Sequence, residues 1–155
     1  MLTFKKNERL CNFHHKERLF SEGKRLYVFP FGVTYLVWPN SETLLLSNGQ
    51  STEKASCHSN TAAFANPCKV MITAPKRLFK NATRRNRVRR LVKEAFRKNK
   101  LQLYAFLEEN NYKCLMSVVY SSPNVLRLGE IEERMTDCLT KLVEVISKNI
   151  LDNNC

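Results

Sequence analysis

The stretch Pro75–Lys100, PKRLFKNATRRNRVRRLVKEAFRKNK, decides how the rest of the chain is read. It carries twelve lysines and arginines (Lys76, Arg77, Lys80, Arg84, Arg85, Arg87, Arg89, Arg90, Lys93, Arg97, Lys98 and Lys100) against one acid, Glu94. That is +11 of the +12 net charge of all 155 residues. Solubility does not require charge to be concentrated in this way, so the stretch reads as a binding surface for a polyanion. Its apolar residues are just as regular. Val88, Leu91, Val92, Ala95 and Phe96 follow the i, i+3, i+4, i+7, i+8 spacing of one buried helix face. At roughly 100° per residue, Asn86, Arg89, Arg90, Lys93, Arg97 and Lys100 fall on the opposite side. The spacing predicts a helix anchored to a core with a basic face turned outward.

The flanking sequence supplies that core. Lys69–Ala74 (KVMITA) reads as a strand closed by Pro75, and Asn81 or Thr83 is placed to cap the helix after a basic connection. The helix runs through Arg97, with a continuation to Leu107 before polar residues 108–111. Cys114–Tyr120 (CLMSVVY) is a further strand, and an amphipathic helix follows from Leu128 or Gly129 to Ile150. On the N-terminal side, Asn7–Gly23 reads as a helix, with Gly23 in a left-handed conformation past its end. Tyr27–Trp38 reads as one strand whose first half is weakened by Pro30 and Gly32. Between Pro39 and Pro67 all periodicity is lost, which predicts a loop insertion at 39–67 within a single domain spanning 1–155. The predicted order is α-β-β-α-β-α: an α+β fold with helices packed on a small sheet.

Composition narrows the function. The chain is 43% hydrophobic, and no apolar run approaches the ~18 to 20 residues of a membrane span. An interfacial membrane helix would want Trp or Leu flanking its basic face, and the stretch has neither there. No secretory h-region follows the first lysines. The six cysteines form no CxxC pair, so they read as reduced thiols of a cytoplasmic protein. Zinc ligation by Cys11, His14, His15, Cys57 and His58 lacks the regular two-pair spacing. There is no HExxH, no GxSxG and no glycine-rich phosphate loop, and the predicted strands carry no carboxylates that could converge on metal ions. The polypeptide alone is therefore expected to be inert and metal-free.

The run Arg85-Asn86-Arg87-Val88-Arg89-Arg90-Leu91-Val92-Lys93-Glu94-Ala95-Phe96-Arg97 closely resembles the RNR box of the protein subunit of bacterial ribonuclease P. Ala74-Pro75-Lys76-Arg77, Lys80-Asn81-Ala82, Leu19-Phe20 with Gly23-Lys24, and the Val33-Thr34-Tyr35 strand resemble the same family. The resemblance implies a left-handed βαβ crossover at the box. It also implies a catalytic RNA partner, precursor tRNA as substrate, and magnesium ions held by RNA and substrate. By position it places Lys76, Arg77, Lys80, Arg84, Arg85, Asn86, Arg87, Arg89, Arg90, Lys93 and Arg97 on the RNA-facing surface. Phe20, Tyr35 and Lys16 fall in a cleft, between the sheet and the first helix, for the 5′ leader of the tRNA precursor. No membrane and no obligate protein partner are implied. Two positions depart from the family pattern: Lys16 stands where an apolar or aromatic residue is usual, and Lys93 where arginine is. Lys93 keeps the charge but loses the two-pronged guanidinium grip. The competing reading is a general RNA-binding or ribosome-associated module with no part in cleavage.

Overall fold

The computed structural model describes residues 4–39 and 66–153. Most of the predicted insertion at 39–67, including the Leu44–Leu46 triplet, Cys57 and His58, lies outside them. The described chain has three α-helices and four strands: α1 (Phe13–Glu22), β1 (Lys24–Val28), β2 (Phe31–Pro39), β3 (Cys68–Thr73), α2 (Ala82–Asn110), β4 (Tyr112–Tyr120) and α3 (Leu128–Asn153). The sheet order is β1-β2-β4-β3. The strands β1, β2 and β4 pair antiparallel, whereas β3 and β4 lie side by side in parallel, joined by α2.

The order is thus α-β-β-β-α-β-α, one strand more than the sequence pattern predicts. The Tyr27–Trp38 run is not one weakened strand: Tyr27 and Val28 end the first arm of a hairpin, and Phe31–Trp38 lies in the second. The chain reverses at Phe29-Pro30, joined by a cis peptide bond, so that Val28 pairs with Phe31. Pro30 marks a turn, a role its fixed φ and missing N–H suit.

Strand alternation sorts the sheet into two faces. Phe31, Val33 and Tyr35 of β2 and Met116, Val118 and Tyr120 of β4 are buried with the apolar stripes of α2 and α3 in the main core. Leu36, Trp38, Leu115 and Met71 point the other way, against Leu10 and Leu19. Helix α1 therefore covers one face, and α2 and α3 the other. Five of the residues that anchor α2 (Val88, Val92, Ala95, Phe96 and Leu103) are each at most 1% exposed. Asn81 caps the helix, its side chain accepting from the Thr83 N–H at 2.9 Å. Asn111 ends it in the left-handed conformation (φ 62°, ψ 40°), its N–H returned to the Leu107 and Glu108 carbonyls. Asparagine is one of the few side chains at ease there.

The N-terminal helix is shorter than its apolar markers predict. It begins at Phe13 because the Asn12 side chain accepts from the His14 N–H at 2.9 Å. Gly23 caps it with extended geometry (φ −67°, ψ 147°), not a left-handed one. A glycine is needed there for close approach: a Cβ would collide with the Leu19 carbonyl and meet the Thr34 methyl at 3.0 Å.

Residues ahead of α1 wrap the free edge of the sheet. A short 3-10 turn, Lys6–Glu8, leads to Arg9, which bridges to Val70 of β3, and the Leu10 N–H donates to the Val70 carbonyl at 3.0 Å. This segment covers an edge that would otherwise offer unpaired backbone. It is tied to α2 through Glu8, 3% exposed, which pairs with Lys100, 5% exposed, and accepts from Tyr104 Oη at 2.9 Å. Lys100 therefore does not join the outward basic face. It is the one cation of the stretch turned into the protein, and its partner comes from 92 residues away.

Burial raises the pKa of the Glu8 carboxyl, but hydrogen bonds from Lys100, the Lys5 N–H and Tyr104 together outweigh it and hold the group below its ordinary value. The pair's stabilisation is present above the unfolded-state value of 4.5 and is lost as pH falls through the folded-state value. Lys100→Met leaves a buried, uncompensated carboxylate. It is expected to cost about 3 kcal/mol or more in denaturant unfolding at neutral pH. That loss should shrink in acid, where Glu8 is protonated.

Candidate nucleic-acid interface

The box residues divide into builders and presenters. Arg85, half-buried, donates through Nη1 to the Phe79 carbonyl at 2.8 Å and the Lys80 carbonyl at 2.9 Å. It locks the connection that carries Lys76, Arg77 and Lys80 onto the start of α2, while buried Phe79 packs on the Tyr120 ring at 5.9 Å. The Asn86 Oδ1 accepts from Arg89 Nη2 at 2.9 Å and so orients that guanidinium. Lys76, Arg77, Lys80, Arg84, Arg87, Arg89 and Arg90 are exposed.

Charge compensation changes abruptly along the helix. Arg97 is paired with Glu94, Nε to Oε2 at 2.9 Å. Lys98 reaches Glu132 on α3 at 2.6 Å, and Lys100 is held by Glu8. With these three of the twelve engaged, nine cations from Lys76 to Lys93 have no carboxylate partner among the described residues. The uncompensated face is therefore shorter than the sequence pattern predicts, and Arg97 sits at its margin.

The edge-covering segment extends this face, which the sequence pattern did not show. Phe4 packs edge-on against Phe96 at 5.9 Å, and its ring lies 5.8 Å from Lys93 Nζ and 5.9 Å from the Arg9 guanidinium. The Lys93 ammonium is shifted below its ordinary pKa by burial first, then by the charges of Arg9, Arg89 and Arg90. Arg9 thus belongs with the box, and Lys5 and Lys6 are exposed beside it.

The second predicted group is not brought together. Phe20 is 51% exposed on α1, and half-buried Lys16 lies one turn before it. Tyr35 is on the other face of the sheet, 4% exposed within the main core, where its hydroxyl bonds to Asn149 of α3. That places it outside any cleft between α1 and the sheet. The reason is parity: Tyr35 pairs with Met116 and follows Val33, all pointing toward α2 and α3. The residues that do point toward the α1 side near the hairpin are Arg25 and Tyr27 of β1, Gly32 and Thr34 of β2, and Ser117 of β4. Tyr27 is 63% exposed. Ser117 is fully buried, and its hydroxyl has no hydrogen-bond partner among the described residues. His15, half-buried on α1, has its pKa lowered by burial and by the charges of Lys69, His14 and Arg18. The cations of Lys69 and Arg18 therefore lie close to its ring. Among the described residues no group of three or more His, Cys, Asp or Glu comes together as a metal site, and no helix is long and apolar enough to cross a membrane.

These features define a class: an α+β RNA-binding protein built around one helix with an uncompensated basic face. The family model described as ribonuclease P matches residues 4–143, and the chain belongs to that family. The ribonuclease P protein component of Porphyromonas gingivalis strain ATCC 33277 is 27% identical over 148 residues, covering 96% of this chain and 92% of that one. Its counterpart in strain W83 is 26% identical over the same length. Among solved structures, the ribonuclease P protein of Staphylococcus aureus superposes with a TM-score of 0.56 at 16% identity, covering 89% of this chain and 96% of that one. That of Thermotoga maritima gives 0.54 at 20%, covering 86% and 96%. The chain is thus a protein subunit of ribonuclease P, an endoribonuclease complex of tRNA processing, and its partner is ribonuclease P RNA.

Because Tyr35 is core and Phe20 and Tyr27 are surface, thermal and denaturant unfolding separate them. Tyr35→Ala is expected to cost about 3–5 kcal/mol, and Phe20→Ala or Tyr27→Ala about 0.5 kcal/mol or less.

Proposed function

We propose that this subunit contributes no catalytic group of its own. It grips the ribonuclease P RNA with the cations of Lys76–Lys93 and presents the α1 side of its sheet to the 5′ leader of precursor tRNA. The observation that carries the first part is the run of nine cations without carboxylate partners among the described residues. Such a face displaces counterions from RNA, and its arginines grip phosphates with two parallel hydrogen bonds. Arg85 and Asn86 act through geometry, by fixing the basic loop and Arg89.

In the leader groove Lys16 supplies charge, and Phe20 and Tyr27 supply rings on which unpaired bases stack. Tyr27 takes the place that the family resemblance gives to Tyr35. Support comes from the exposure of both rings, 51% and 63%, and from the Lys69 and Arg18 cations near His15. Magnesium belongs to the RNA and its substrate in this reading. Several of the protein's carboxylates are already engaged: Glu8 with Lys100, Glu22 with Arg18, Glu94 with Arg97 and Glu132 with Lys98.

Adding the protein to ribonuclease P RNA and precursor tRNA at low magnesium should restore cleavage. The Phe20→Ala and Tyr27→Ala variants should still assemble with the RNA but bind precursor more weakly. The expected loss is roughly 1–3 kcal/mol per lost stack, with binding of mature tRNA unchanged. Equal losses for precursor and mature tRNA would remove the leader assignment.

A further inference from the structure

One groove is left unassigned by this division of the surface. It lies open to solvent between the first turns of α2 and the start of α3, has a volume of about 590 Å³, and is lined by Asn86, Arg87, Arg90, Leu91, Glu94 and Leu128, with Thr83 also on its wall. Its volume lies within the about 300–1,000 Å³ of pockets that take small ligands. Leu91 and Leu128 are both half-buried, so the groove has apolar walls from two different helices. Arg87 and Arg90 stand exposed at its rim with no carboxylate partner among the described residues. A flat basic face needs only charge to hold phosphates. Apolar walls among arginines suit a group with both a flat ring and a phosphate.

We infer that this groove receives one unstacked nucleotide of the RNA, its base between Leu91 and Leu128 and its phosphates on Arg87 and Arg90. The inference rests on the reading of the α2 face as the RNA interface and adds that the RNA at this point is unpaired and read by its base. Glu94 sets the preference. Its carboxylate already accepts from Arg97, which fixes its orientation. Its remaining lone pairs can only accept, which suits an exocyclic amino group; uracil offers a single N3–H flanked by two carbonyl oxygens that the carboxylate repels. Asn86, its Oδ1 held by Arg89, has its amide nitrogen left to donate. Leu128 brings α3 into the interface, a helix the basic pattern does not point to.

The test uses the full chain and two short probes, oligocytidylate and oligouridylate of five nucleotides, titrated at fixed salt. The unaltered protein should bind the cytidine probe several-fold more tightly. Leu128→Ser, at the first residue of α3 where serine suits a helix start, should weaken both probes about fivefold or more through the lost apolar wall. Glu94→Gln adds donors that can serve the uracil carbonyls. It should bring the ratio of the two affinities to one or below, whatever the gain in overall charge does to both. If both variants keep the original ratio and Leu128→Ser keeps the affinity, the groove takes no base and the inference is overturned. The cleavage assay with ribonuclease P RNA reads the underlying assignment separately. Normal stimulation without probe selectivity sinks the groove alone. Failure of the unaltered chain to stimulate sinks the assignment of the face.

Discussion

Everything in this molecule depends on holding a strip of like charges together on one helix. Neighbouring cations about 6 Å apart repel by ~0.7 kcal/mol per pair in water, before salt screens them. Against that, each fully buried Val, Leu or Phe of the opposite stripe contributes about 1.5–3 kcal/mol. Val88, Val92, Phe96, Leu103 and Leu107 are all at most 1% exposed, so the anchor wins by a wide margin. The repulsion then remains as an unsatisfied field at the surface, which a polyanion relieves.

The rest of the fold either supports that helix or limits the charge it shows. The β3–β4 pair gives it a floor, Arg85 ties the basic loop to its first turn, and the edge-covering N-terminal segment grips its middle through Phe4 and Glu8. Toward its C-terminal end the carboxylates of Glu94, Glu132 and Glu8 neutralise Arg97, Lys98 and Lys100. Two of those partners lie outside the helix, one on α3 and one ahead of α1. Tertiary structure therefore decides where the uncompensated face stops. Tyr104 belongs to the same arrangement, since its hydroxyl satisfies the Glu8 carboxylate a turn beyond Lys100.

The helix and its buried stripe are legible in the sequence, and its cap is narrowed to Asn81 or Thr83, because they depend on residues within a few positions of one another. The fold class was legible for the same reason, together with the ordered box that marks the family. What was not legible depends on pairing at a distance. Lys100 sits at a solvent-side angle of the helical wheel, and only Glu8 arriving from the N-terminal segment makes it interior. Both faces of the Tyr27–Trp38 run are apolar, so alternation alone could not say which face meets α1 and which meets α3. That choice puts Tyr35 in the core rather than on the α1 side and leaves Tyr27 exposed. From the sequence Pro30 interrupts one strand, whereas in the structure it is the corner of a hairpin.

The central claim is that RNA reads only the cations left without carboxylate partners. The most direct measurement is the salt dependence of binding between the full chain and ribonuclease P RNA, compared for Arg90→Ala and Lys98→Ala. Each substitution removes one positive charge, so net charge cannot distinguish them. Arg90→Ala is expected to lower the slope of log affinity against log salt by about 1, while Lys98→Ala leaves it close to that of the unaltered protein. Equal changes in slope for the two variants would contradict it.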